Sequence, residues 1–460
     1  MGYWLQPHGA DRARPGSCEQ ASQMDSRVNT IGSVRWRIAF LVSAAIAISY
    51  LDRQTLPVAI KAIQQDIPIS NERFSLLNTS FLIAYGLMYV GGGRLLDKLG
   101  TRLGFTVVMA FWSLACASHG LAVNLAMLAA SRLLLGMGEG GGFPAATRAM
   151  AEWFPERERS TAMGIMNGGT ALGAVAAPPL IAAVLSFGNW RWVFFLTGAL
   201  GLAWTAWWRR EYYLPARHPR LGPAERRELD TLLEIGPPAE PTSKWSQLFR
   251  YRQTWGLVLA KTLSDAAWYF YLFWMPKYLY DARGFDIKAV GAFAWIPYAA
   301  AGVGCLGGGW FSSWLLRRQF SLNRARKLAL GLSAAVMPFI LFVPRVSPAG
   351  AIALFSLAYF GQQSWSTLVM TLPADIFEKS SVGSVAGLVG FGGAMGGVLF
   401  GELVGYLLDH GSGYGPVFGL AGSLHILAFL ALCLIIPSIS PLKSTRESRD
   451  ENQRNPDTRR

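Results

Sequence analysis

The sequence predicts an all-α membrane protein, with twelve transmembrane helices arranged as two six-helix halves. Three observations carry this. Hydrophobic residues make up 52% of the 460 positions and charged residues 15%, against about a quarter charged in an ordinary soluble domain. The apolar residues fall into stretches of about twenty, the length that crosses a bilayer as a helix. The later stretches also repeat the earlier ones. Fifty glycines and seventeen tryptophans fit helices that approach closely and aromatics that anchor at membrane interfaces.

The polar opening, with Arg12, Arg14, Arg27 and Arg35, holds no apolar core, so no cleavable signal peptide is read there. The first helix then spans 36–60, and a basic stretch around Lys98 and Arg102 separates helices at 75–96 and 103–121. A short turn near Gly120–Ala126 leads into 125–150; Arg157 and Arg159 precede 160–186, and 190–208 ends at Arg209 and Arg210. The longest interruption, 209–254, contains Pro215, Pro219, Pro223, Pro237, Pro238 and Pro241, the composition of a solvated linker. Six further segments follow at 255–280, 289–316, 327–344, 349–376, 382–408 and 415–437. The expected units are therefore a tail (1–35), a first half (36–208), the linker, a second half (255–437) and a basic tail (438–460). Basic residues gather in alternate connections, so both termini are expected in the cytoplasm by the positive-inside rule.

The halves share a register. Gly164, Gly169 and Gly173 recur 223 residues later as Gly387, Gly392 and Gly396, and the same shift carries Glu152 onto Asp375 and Glu139 onto Gln362. This register predicts that Gln362 faces the central axis as Glu139 does.

Ionisable groups at mid-membrane depth mark pathways or proton relays. Asp52 and Arg53 lie in the first apolar segment and Glu139 in the fourth. Arg53 suits a substrate carboxylate, because guanidinium stays charged in a dry site and offers a two-point fork; a structural ion pair is the alternative. Asp52 projects about 100° from Arg53 on a helix and, with Glu139, is a candidate proton carrier. Arg132 lies two turns before Glu139, too far for a direct pair by default. Tyr50, Tyr85, Gln362 and Trp365 are candidates for hydroxyl recognition, and Trp268 and Tyr271 offer flat faces to a sugar-like ligand; interface anchoring is the other reading of these aromatics. Cys116, Cys305 and Cys433 read as packing residues inside apolar runs. Pro144, Pro178, Pro179 and Pro276 read as helix kinks.

The run Gly93-Arg94-Leu95-Leu96-Asp97-Lys98-Leu99-Gly100-Thr101-Arg102 resembles the cytoplasmic signature of the major facilitator superfamily. The resemblance implies a charge latch in which Gly93, Asp97 and Arg102 take part, with Arg132 also structural or gating. The counterpart near Gly309 has Ser313 where the acid would stand, which argues against a second latch. Tyr50-Leu51-Asp52-Arg53 and the stretch from Arg132 through Gly136, Gly138 and Glu139 to Pro144 resemble motifs of the anion:cation symporter family, which often has Asn where Gly142 stands. The segment from Trp268 to Lys277 and that from Trp365 and Ser366 to Val385 look most like bacterial hexuronate transporters, which places Ser366 among the substrate-binding candidates.

The resemblance implies a monomeric proton-coupled carrier of a sugar acid in the inner membrane, its partners the small organic anion, the proton and lipid. Another organic anion, export or exchange, and a membrane sensor remain as alternatives. The net charge of +14 is scattered in short clusters, which argues against nucleic acid. No phosphate loop and no clustered His or Cys ligands are present, so neither enzyme activity nor a metal or cofactor is expected.

Overall fold

The computed structural model describes residues 16–223, 226 and 245–442, by backbone alone at 16–33 and at a few helical positions that include Gly93, Arg94 and Asp97. Most of the predicted linker's middle and the basic tail from Lys443 lie outside the described residues.

Twelve membrane-crossing helical segments run through these residues. Helix α1, Gly16–Asp66, begins well before the predicted start, so the described part of the expected N-terminal tail is helical. Asn71–Ser118 is one helical run broken only at Gly100, which gives α2 (71–99) and α3 (101–118). The expected loop is thus a kink at one residue. Gly100 has φ +71°, a conformation glycine adopts without a Cβ penalty, and this accounts for the glycine late in the signature. Helix α4 comes in two pieces, Leu125–Gly140 and Gly142–Trp153, divided at Gly141. Pro144 lies in the first turn of the second piece, where its missing N–H costs nothing.

Helices α5 (Glu156–Phe187) and α6 (Arg191–Glu211) complete the first half. The second half holds α7 (Arg252–Arg283) and α8, formed by Ile287–Phe293 and Trp295–Arg317. Helix α9, Leu322–Ala335, continues as a 3-10 stretch, Met337–Arg345, that carries Pro338 and Pro344. Then come α10 (Pro348–Ile376), α11 (Lys379–Asp409) and α12 (Tyr414–Ile435). Side-chain caps mark several starts: Ser70, Asn124, Asp286, Ser321 and Ser347 each accept a bond from the amide three residues on. Seven of the described helical stretches are each long and apolar enough to cross a membrane by themselves. Others carry polar groups, such as Lys261 and Asp265 in α7 or Gln362 in α10, or are divided as α4 is.

Small residues let the halves pack alike. A Cβ at Gly169 or Gly173 of α5 would strike the carbonyl oxygens of Ser43 and Ala47 on α1, and a Cβ at Gly392 or Gly396 of α11 would strike Val258 and Thr262 on α7. The repeated glycines therefore seat the same pair of helices in each half. They also show that the first helices follow a 215-residue register, Ala47 onto Thr262, while the later helices follow 223.

Among the described residues, an ion pair and several hydrogen bonds join the halves at the face opposite the described chain ends. There Lys61 pairs with Asp281 at 2.5 Å, and Tyr280 donates to the carbonyl of Val58 at 2.8 Å. The Asp409 carboxylate at the end of α11 accepts from the backbone amides of Asn71 and Glu72 at 3.0 and 2.8 Å, capping α2, and from the Asn71 side chain at 2.8 Å. Thr79 donates to Glu402 at 2.5 Å. At the terminal face, a Cβ at Gly164, Gly168, Gly383 or Gly387 would touch nothing within 4 Å. The halves are bonded together at one face, and at the other these glycines of α5 and α11 have open space beside them.

Candidate functional site

Five residues from three helices of the first half converge. Arg53 of α1 donates from Nε to Glu139 Oε2 of α4 at 2.6 Å, and Ser49 Oγ donates to the same oxygen at 2.7 Å. The guanidinium lies 4.7 Å from the Tyr50 ring centre and 4.6 Å from that of Tyr85 on α2. Arg53 and Glu139 are 2% and 1% exposed, so this is a buried ion pair held by one hydrogen bond. Arg53 Nη2 and Glu139 Oε1 are buried without partners. Half the fork is uncommitted.

Asp52 is fully buried and points away from Arg53, as the helical angle requires. Its Oδ1 accepts from the Cys116 thiol of α3 at 3.5 Å, and Oδ2 has no partner. Cys116, expected only to pack, is thus a polar contact of the candidate proton carrier. Arg132 is fully buried, does not reach Glu139, and sits 5.6 Å from the Phe81 ring, whose centre is also 5.6 Å from the Arg53 guanidinium. None of its three nitrogens has a hydrogen-bond partner.

The second half contains a cluster that the sequence reading missed. Lys261 and Asp265, one turn apart on α7, pair at 2.9 Å and are 7% and 6% exposed. Lys261 also donates to Ser366 of α10 at 2.7 Å, and Gln362 donates to Asp265 Oδ1 at 3.3 Å. The Gln362 carbonyl accepts from His425 of α12. Opposite charges inside an apolar segment, the signal that marked Asp52 and Arg53, were equally present here. Gln362 is buried inside the half, bridging α7 to α12.

Three aromatic expectations change. Residues 264–280 of α7 are buried on every side, so none of its aromatics there faces lipid. Tyr271 packs against Phe355 and Tyr359, and Trp365 against His425 and Phe429; both are completely buried core residues of the second half and do not join the Arg53 group. Trp268 lies edge-on to Tyr359 at 5.5 Å. At the terminal face, Arg102 binds the carbonyl of Arg209 at the end of α6 at 2.5 Å and lies 3.9 Å over Tyr213; Gly93 and Asp97 are described by their helical backbone alone.

The second half carries an ion pair at the terminal face, away from Ser313. Arg326 of α9 grips Asp375 of α10 at 2.8 and 3.2 Å and Ser312 of α8 at 2.9 Å. The first-half equivalent of Asp375, Glu152, accepts from Thr101 at 2.6 Å, from Arg148 at 3.1 Å and from Tyr212. The acid sits at the end of α4 and α10 in the repeat, so the Ser313 position said nothing about it.

Comparison with known proteins fits this geometry. A family model described as Major Facilitator Superfamily matches residues 42–401. The chain is 30% identical over 427 residues to the hexuronate transporter of Escherichia coli strain K12, covering 92% of this chain and 98% of that one. It is 33% identical over 333 residues to the galacturonate transporter of Dickeya chrysanthemi, covering 72% and 94%. Among solved structures, a bacterial homologue of the human lysosomal transporter Spinster, inward-facing and occupied, superposes with a TM-score of 0.68 at 16% identity, covering 88% of this chain and 97% of that one. At that identity the likeness shows the fold.

Proposed function

From the premise that this chain belongs to the Major Facilitator Superfamily, a family of membrane transporters and not of enzymes, we propose that it imports a sugar acid, a hexuronate such as galacturonate or glucuronate, together with a proton. The observation that carries the proposal is the half-used fork of Arg53. A buried arginine bonded through Nε alone, with Nη2 free and two tyrosines against its face, is built to accept one more anion. The transporters named for hexuronate and galacturonate supply the substrate class by similarity.

Charge accounting supplies the coupling. An anion entering beside Arg53 competes with Glu139 for it, and a Glu139 carboxylate released in a dry site is stabilised by taking up a proton. One proton with one monovalent anion leaves the site's net charge unchanged, so the loaded and empty carriers face similar costs in reorienting. Asp52, whose Oδ2 is also unpartnered, is the second carrier in this scheme. The basic residues Lys98, Arg102, Arg209, Arg210, Arg317, Arg318 and Lys327 near the terminal face support its lying on the cytoplasmic side. The contacts at Arg326–Asp375 and around Glu152 tie together the helix ends that move within each half.

Uptake into proteoliposomes tests the proposal. Radiolabelled D-galacturonate should accumulate when the inside is alkaline relative to the outside, and accumulation should collapse with a protonophore. Binding without flux would favour a sensor.

A further inference from the structure

Resting on the sugar-acid reading above, we infer that Asp265 is the hydroxyl-recognising end of the substrate site, so that the ligand lies across the seam with its carboxylate at Arg53 and its hydroxyls at Asp265. The two halves present opposite polarity. In the 215-residue register Tyr50 corresponds to Asp265 and Arg53 to Trp268, while Glu139 corresponds to Gln362. The first half therefore offers a cation on α1 held by an acid on α4. The second offers an acid on α7 held by an amide on α10.

Asp265 has a free oxygen. Lys261 and Gln362 both bond to Oδ1, and Oδ2 takes no bond from any described residue. Oδ2 points at Gly393 of α11, and a Cβ at 393 would overlap it. The glycine keeps the space before this oxygen clear. The same face of α11 meets the first half: Gly390 lies against Tyr89, Ala394 and Phe391 against Gly86, and Gly397 between Tyr269 and Leu82. Tyr89 neighbours Tyr85 at 5.7 Å, and Tyr85 covers Arg53. The free carboxylate oxygen thus lies against the face of α11 that borders the seam, and the free guanidinium nitrogen belongs to the half across it.

The chemistry selects polyhydroxy acids. A carboxylate only accepts hydrogen bonds, so a hydroxyl donor satisfies Oδ2, and a charged acceptor makes the stronger kind of bond. A site built to bond a hydroxyl rejects an analogue lacking it, because its own group is then left unpaired. Lys261 pairs with Asp265 at 2.9 Å, and its bond to Ser366 at 2.7 Å holds the pair in place.

The test is calorimetric titration of the purified protein and of Asp265→Asn with D-galacturonate and with its deoxy analogues, one hydroxyl removed at a time. The account predicts that D265N weakens galacturonate about ten- to a hundred-fold, and that at least one deoxy analogue, already weak on the wild type, loses almost nothing further. Equal weakening of galacturonate and every deoxy analogue assigns Asp265 a structural role and overturns the inference, as does unchanged galacturonate affinity. Because D265N leaves Lys261 unpaired, the double variant D265N/K261Q repeats the series with no buried charge left over, and the same pattern is expected of it. If the wild type binds no sugar acid at all, the substrate reading itself falls; if it binds and only the hydroxyl pattern is missing, that reading survives and this inference does not.

Discussion

Arg53→Lys separates charge from geometry. In the structure the guanidinium spends Nε on Glu139 at 2.6 Å and holds Nη2 in reserve, with Tyr50 and Tyr85 at 4.7 and 4.6 Å from its centre. An ammonium keeps the positive charge and the attraction to both rings, so those terms largely cancel between variant and wild type. What it loses is the rigid planar fork that offers a carboxylate two parallel hydrogen bonds, one of which a single ammonium cannot replace. One charge-assisted hydrogen bond contributes about 1.5–3 kcal/mol, and each 1.4 kcal/mol is tenfold in affinity. Kd for D-galacturonate should therefore rise about ten- to a hundred-fold. Calorimetric titration of the detergent-purified variant measures it, with a thermal melt confirming the fold. Arg53→Ala is the poorer experiment, because an uncompensated buried Glu139 costs about 3–5 kcal/mol of stability. A Kd within threefold of wild type would remove Arg53 from the binding site.

Two further outcomes follow from the packing. Asp409→Asn takes the charge from the cap on α2 that joins the halves; at this exposed site the loss is about 1 kcal/mol, enough to raise the population open at the face opposite the chain ends severalfold, which spin-label distances across that face would detect and an unchanged distribution would contradict. Gly173→Ala should destabilise the protein by about 1–3 kcal/mol, because its Cβ meets the Ala47 carbonyl and backbone cannot yield cheaply. Gly164→Ala, with open space around it, should melt like wild type, and equal melting of both variants would refute the packing argument.

The sequence disclosed the architecture and half of the site. Charges are so costly at mid-membrane depth that Asp52, Arg53 and Glu139 stood out, and the structure brings Arg53 and Glu139 into contact and turns Asp52 elsewhere. Lys261 and Asp265 carried the same signal and were overlooked beside the aromatic run that follows them. Tyr271 illustrates a limit of helical-face reasoning. A helix buried on every side has no lipid face to contrast with a cavity face, so periodicity cannot say which aromatics line a site. Chain breaks were legible only as positions: Gly100 makes a kink where a loop was expected, because one residue with positive φ turns α2 into α3 without any connecting segment. The Arg326–Asp375 ion pair was hidden for a related reason. Its acid, Asp375, had been matched to Glu152 by the repeat, but its partner Arg326 comes from another helix, and only folding brings them together.

The central claim is that Glu139 trades a proton against the substrate at Arg53. Driven transport requires that proton and substrate bias the same conformational equilibrium, and a group that cannot titrate supplies no such bias. The most direct measurement compares Glu139→Gln with wild type in proteoliposomes, in two modes. The account predicts that the variant retains counterflow of labelled D-galacturonate, which needs only the loaded carrier to reorient, and fails to accumulate it under an imposed proton gradient. Uphill accumulation by Glu139→Gln with wild-type pH dependence would contradict the account and make the Arg53–Glu139 pair structural.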